Sequence, residues 1–193
     1  LAYGGHVPQR VGLGHALASG YRFIEHMSGY ETVLNGRGQL GAFGWRNVDR
    51  GAMPALAAET AAAGTWNCPT LAIFSMIASG DQEVVANRRA MVAALHAARA
   101  PLLVGTDAGI GRTEPGSSLH DEMAEFVAAG IAPLEVLRMT TVGAARFLGV
   151  ENSVGRIAPG YRADLLLVDG DPLANLDVLR RPRMVLARGA RLH

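Results

Sequence analysis

The sequence carries one cysteine, Cys68, in 193 residues. No internal disulfide can form, so the fold must rest on its core. No apolar run approaches the ~18 residues that a membrane span requires, and no secretory leader is visible. The chain starts at Leu1 and not at Met; we expect further chain upstream, and localisation is left open. An excess of one charge is lacking too, with 18 Lys+Arg against 17 Asp+Glu and a net charge of +1. Without a basic stripe, neither nucleic acid nor an anionic membrane is an expected partner. Histidine is scarce, with six residues, so the position of each is informative.

What is present is the composition of a globular chain. Hydrophobic residues make up 49% and charged residues 18%, outside the range of disorder, and the length suffices for a real core. The punctuation reads as alternating strands and helices. Leu1 to Val7 reads as a strand running into "GGHVP", followed by a helix from Val11 to Ala18 that stops at Gly20. Tyr21 to Ile24 form the next strand, and residues 29–50 read as a Gly-rich loop with at most a helical turn. Met53 to Ala63 is an Ala-rich helix ended by Gly64. "TWNCPTLAIF" reads as a strand with a break at Pro69.

Further on, Gln82 to Arg99 places Val84, Val85, Met91, Val92, Leu95 and Ala98 on one helical side. "LLVG" after Pro101 has the all-apolar character of a parallel strand covered on both faces. Ser118 and Asp121 match a capping box, with a helix behind them to Gly130. Pro133 opens another helix that ends at Gly149. Beyond it, "VGRIAPGYRADLLLVDGDP" reads as two strands joined by a Pro-Gly turn, with a third in "RMVLARG". We therefore divide the chain into a β/α part, residues 1–149, and an all-β tail, residues 150–193. A complete (β/α)₈ barrel needs ~250 residues, so only about half of one fits here; a doubly wound sheet is the alternative.

Parallel α/β folds carry their chemistry at the C-terminal ends of the strands. In this sequence those ends hold His6, His26, a position near Thr70, and Asp107. Two imidazoles and a carboxylate on one rim suit zinc, and also manganese, iron or nickel. Such a metal acidifies bound water and polarises a carbonyl, and a neighbouring carboxylate can carry the proton. Each residue has a plainer reading, since a strand-end histidine can cap a loop and Asp107 can cap a turn or a helix. Their recurrence at successive strand ends gives them weight together. By strand alternation Glu25 points away from His26, unless a bulge reverses it.

Other candidates are weaker. "GRGQLG", residues 36–41, matches the dinucleotide fingerprint, but no strand precedes it and no helix follows it. His120, in the first turn of a helix, could touch substrate or could be a surface residue. Arg112 and Glu114 could line a pocket. His15 and His96 fall within helices, His193 is terminal, and Cys68 reads as a buried apolar residue.

The combination "GGHVP", "FIEHM", "CPTL", "LLVGTDAG", "SLHDEMAEFVAAGIAPLEVLRMTTVGAARFLG" and "GRIAPGYRADLLLVDGDPL" resembles the amidohydrolase superfamily, in its imidazolonepropionase-like branch. The resemblance implies a (β/α)₈ barrel with a small β-sandwich built from both chain ends. It implies that His6, His26 and Asp107 end barrel strands five, six and eight. His6 and His26 would then be metal ligands, and Asp107 a ligand and the proton shuttle for a metal-bound hydroxide attacking a carbonyl. The substrate would be a small molecule with a carbon–nitrogen bond: a cyclic amide, an imidazolone-type ring or a dipeptide. The family's His-x-His and its strand-four ligand are absent from this sequence. The chain thus resembles the C-terminal half of such a protein, strands five to eight plus its share of the sandwich. On that reading it is inactive alone, or associates, as a homo-oligomer or otherwise, to cover an open half-barrel. The alternatives are a non-catalytic binding protein on the same scaffold, and a nucleotide-binding sheet that uses residues 36–41.

Overall fold

A computed structural model describes residues 2–36, 40–78, 80–111 and 113–192. Leu1, the middle of the fingerprint-like stretch at 37–39, Arg112 and His193 therefore lie outside the described residues. The first part of the chain alternates strand and helix: α1 (Leu13–Ala18), β1 (Phe23–Glu25), α2 (Tyr30–Leu34), α3 (Met53–Ala63), β2 (Trp66–Cys68), α4 (Leu71–Ile77), α5 (Gln82–Ala97) and α6 (Ser117–Ala128). β1 and β2 pair in parallel, with Glu25 opposite Cys68. Parallel bridges extend the pair on both sides, from Gly5 to Ile24 and from Asn67 to Leu102. Four parallel segments thus lie side by side in chain order, each connection passing through helix.

The helices form where the pattern places them. α3 has a proline in its first turn and stops at Gly64, whose φ of 65° is left-handed and free of strain only for glycine. α5 is capped by Asp81, whose carboxylate accepts the Val84 N–H at 3.2 Å. Val84, Met91, Val92 and Leu95 are buried along its inner side. They join Leu13, Ile24, Met27, Tyr30, Trp45 and Phe126 in one core. Each fully buried aliphatic or aromatic side chain of this kind contributes ~1.5–3 kcal/mol.

Several expectations are corrected. The N-terminal strand shrinks to the bridge at Gly5, and "LLVG" to the bridge at Leu102, with Leu103 and Val104 only half-buried. Residues 29–50 contain α2 and two short 3₁₀ turns, Ala42–Trp45 and Arg50–Ala52. "LAIF" is helical and not a continuation of the strand: Thr70 turns left-handed at φ 50° and the chain enters α4. The capping box does not form. Gly116 caps α6, Ser118 donates to the Glu114 carbonyl at 2.6 Å, and Asp121 pairs with Arg180.

The helix opened by Pro133 is interrupted. α7 (Pro133–Arg138) passes through a π turn, Met139–Gly143, into α8 (Ala144–Leu148). The tail contributes β3 (Leu165–Leu167), β4 (Met184–Ala187) and β5 (Ala190–Arg191), an antiparallel sheet in that order. The "GRIAP" segment before β3 is irregular. Arg180 ties the tail to α6 through Asp121 at 2.6 Å. No described helix is long and apolar enough to cross a membrane.

Candidate functional site

The ends of the parallel segments bring His26 close to His6 on one side and to Asp107 on the other. His26 follows β1, and its ring centroid lies 4.7 Å from that of His6. Its Nε2 stands 3.7 Å from Asp107 Oδ2. That distance exceeds a hydrogen bond. It is near the separation of two ligands that share one cation at ~2.1 Å each across a wide angle.

Backbone turns aim these groups. His26, Met27, Thr70 and Asp107 all have positive φ, at 60°, 54°, 50° and 52°. A left-handed residue at a strand end breaks the two-residue alternation and redirects its side chain. Glu25 accepts a hydrogen bond from the Cys68 thiol and lies close enough to His6 and Asp107 to feel both charges. Burial is the main force on Glu25 and holds its carboxyl above the usual range. Cys68 is half-buried, and burial raises its thiol, so it is held as an unreactive thiol.

The His26 ring is fixed on its other side. Nδ1 lies 2.6 Å from Thr70 Oγ1, whose hydroxyl donates to the Pro69 carbonyl at 2.7 Å. With the threonine proton so engaged, Nδ1 donates and Nε2 keeps its lone pair toward Asp107. Burial, then His6, pulls His26 below the ordinary imidazole range, with Asp107 opposing. A neutral imidazole with a free Nε2 is the form a metal accepts, so the donor chemistry of the His26–Asp107 pair fits a divalent cation. Among the described residues, no group of three or more His, Cys, Asp or Glu side chains is drawn close enough to hold a metal ion.

Sequence reasoning missed the supports behind this rim. Arg88 of α5 is 2% exposed and donates to the carbonyls of His26 and Pro69 at 3.1 and 2.8 Å. Its guanidinium lies over Phe74, 3.9 Å from the ring centroid. Burial pulls Arg88 below the usual arginine range, against the charges of Glu31 and Glu122. Glu122 of α6 is fully buried and is pushed up to about 7 by desolvation. His120 sits instead beside Arg180, Asp121 and Asp177, where α6 meets the tail. A cavity of about 290 Å³ opens next to His6 and His26. A larger one, about 700 Å³, lies beside Trp66, Pro101 and Arg138, and none of the three rim residues lines it.

Parallel βα units with polar side chains at the C-terminal ends of their strands are the arrangement of functional α/β folds. The amidohydrolase family model matches residues 26–190, and the chain belongs to that family. It is 43% identical over 86 residues to an imidazolonepropionase of Cereibacter sphaeroides, covering 44% of this chain and 21% of the relative. Bottromycin amidohydrolase superposes over 100% of this chain and 50% of its own, at 26% identity and a TM-score of 0.66. A Xaa-Pro dipeptidase covers 93% of this chain and 41% of its own, at 21% identity and a TM-score of 0.68. This last likeness is one of fold, that of the barrel-containing family. The chain spans about half the length of these solved structures or less.

Proposed function

We propose that the protein is a hydrolase of carbon–nitrogen bonds other than ordinary peptide bonds, acting on a small cyclic amide, an imidazolone-like ring or a dipeptide-like molecule. The observation that carries this reading is the 3.7 Å approach of His26 Nε2 to Asp107 Oδ2, with the His6 ring alongside. His26 and Asp107 would hold a divalent metal, with the neighbouring His6 ring closing in as the third ligand, and zinc is the first choice for this donor set. When bound, that metal supplies an acidified water and a polarised carbonyl. The half-exposed Asp107 carboxylate takes the proton and returns it to the leaving nitrogen. Thr70 and Arg88 hold the His26 ring and backbone in place, and burial keeps the imidazole neutral.

In the same reading, residues 1–149 form strands five to eight of a (β/α)₈ barrel. Residues 150–193 form a share of a small β-sandwich. Four parallel segments in chain order support the first part. The exposed apolar faces of Leu166 and Leu167 support the second.

The test is zinc-binding calorimetry followed by an amide and cyclic-amide hydrolysis panel, with and without a chelator. Asp107→Asn is expected to lower turnover by roughly 10²–10⁴-fold while circular dichroism stays unchanged. A zinc-loaded whole protein, of which this chain is a part, that hydrolyses nothing on the panel would refute the reading.

A further inference from the structure

The larger cavity, about 700 Å³, opens where the strands begin, at the end opposite to the histidine rim. Trp66 is the first residue of β2, and Pro101 and Leu102 start the next parallel segment. These residues, with Met139 and Val142, give the cavity apolar walls. Its charged lining is lopsided. Arg99, Arg138 and Arg146 face one carboxylate, Glu135, a net +2 with the His96 imidazole left uncounted. All three arginines are exposed. Arg138 is engaged by Glu135 at 2.5 Å, whereas Arg99 and Arg146 have no side-chain partner among the described residues.

The backbone serves this grouping twice. Arg138 and Arg146 are eight positions apart, which in an unbroken α-helix overshoots two turns by about 80°. The π turn Met139–Gly143 between them takes up about one extra residue and removes most of that offset. Both arginines therefore stand on one side of the helix, along the cavity. Single π turns of this kind recur at functional sites. Arg99 closes α5 in the left-handed region, at φ 61°. α3, α6 and α8 place glycine there, Gly64, Gly130 and Gly149, because glycine adopts that region without strain. A side chain kept against backbone strain points to a role for that side chain.

A guanidinium presents parallel N–H groups that match two oxygens of a carboxylate or a phosphate. Surplus cations over apolar walls select an anion with an apolar body. The volume, about 700 Å³, lies within the range of small-molecule sites. We propose that this cavity binds a small organic oxyanion, a carboxylate or phosphate carried on an apolar ring, with Arg99 and Arg146 on the oxygens and Trp66 and Leu102 against the ring. The site lies away from His26 and Asp107, and binding there does not rest on the hydrolase reading.

The probes are benzoate, phenyl phosphate and the neutral benzamide. Each is titrated into the whole protein, of which this chain is a part, and followed by the Trp66 indole signal in NMR. At least one anion is expected to shift that signal and to bind roughly tenfold more tightly than benzamide, the worth of one charge-assisted hydrogen bond. The tighter of the two anions identifies the head group. Added salt should weaken the anion and leave benzamide unchanged. Arg99→Gly should weaken the anion by a similar factor while the urea midpoint holds or rises, since glycine relieves the left-handed turn. An arginine with a merely structural role would lower the midpoint and leave the anion's affinity unchanged. Arg146→Gln should weaken the anion with the midpoint unmoved. Equal affinity of the anions and benzamide for the unaltered protein would overturn the site, whatever the variants do. So would an unmoved Trp66 signal, which would mean that other chain or water fills the cavity. Undiminished anion binding in both variants would overturn it as well.

Discussion

Oε1 of Glu122 accepts the backbone N–H of Leu71 at 2.8 Å, and its second oxygen takes the N–H of Ala72 at 2.7 Å. One carboxylate from α6 thus satisfies the first turn of α4, directly behind the strand-end turn at Thr70. Glu122→Gln leaves a single acceptor and turns an amide NH₂ toward a backbone N–H. We expect a loss of about 1–3 kcal/mol, read as a lower urea midpoint at unchanged slope. An unmoved midpoint would show that the cap contributes nothing.

The same carboxyl makes stability depend on pH. Burial raises Glu122 from 4.5 to about 7 in the folded chain. The folded state therefore holds its proton more tightly than the unfolded state does. The contribution is fully present below about pH 4.5 and is lost as pH rises through 7, by about 3 kcal/mol in all. Urea midpoints measured from pH 5 to 8 should fall, and Glu122→Gln should flatten that part of the curve. A midpoint that climbs over this range, with no difference in the variant, would contradict the assignment.

Arg88 joins two neighbouring strand ends through their carbonyls and faces Glu31 and Glu122. Arg88→Leu strands both carbonyls and leaves two buried carboxyls without a cation. The expected cost is about 3–5 kcal/mol, measured by thermal unfolding. Arg88→Lys should recover part of it, because charge is restored but the planar fork is not. Equal losses for the two variants would mean that packing on Phe74, rather than charge and hydrogen bonding, explains the effect.

Gly105 has a different reason to be small. A Cβ placed there would lie 2.5 Å from Cys68 Sγ. Gly105→Ala should destabilise by about 1–3 kcal/mol through overpacking. The double variant with Cys68→Ala should recover most of that loss, since the sulfur is the obstructing atom. Additive losses in the double-mutant cycle would place the strain elsewhere.

The alternation of strands and helices was readable because hydrophobic period and glycine punctuation agree, as in α3 and α5. The rim positions of His6, His26 and Asp107 followed from the same punctuation, since each ends an apolar run. Short runs were harder. "LAIF" is apolar enough for a strand, and only the left-handed Thr70 and the carboxylate of Glu122 decide for helix. Alternation predicts side-chain facing only while the backbone stays extended, and it ends at His26, whose φ is 60°. Arg88 and Glu122 were missed because single charges in a helical pattern read as solvated, and their partners lie on other elements. In the tail, "GRIAP" has strand composition but no partner among the described residues.

The left-handed residues at the rim have a consequence for how this sequence can drift. Positions 26, 70 and 107 hold conformations that glycine or asparagine adopts more cheaply, by about 1 kcal/mol each. A library selected only for heat resistance should therefore replace histidine, threonine and aspartate there first. One selected for turnover should keep them. The two selections would pull the same three codons in opposite directions, and sequencing the survivors would separate positions retained for chemistry from those retained for folding.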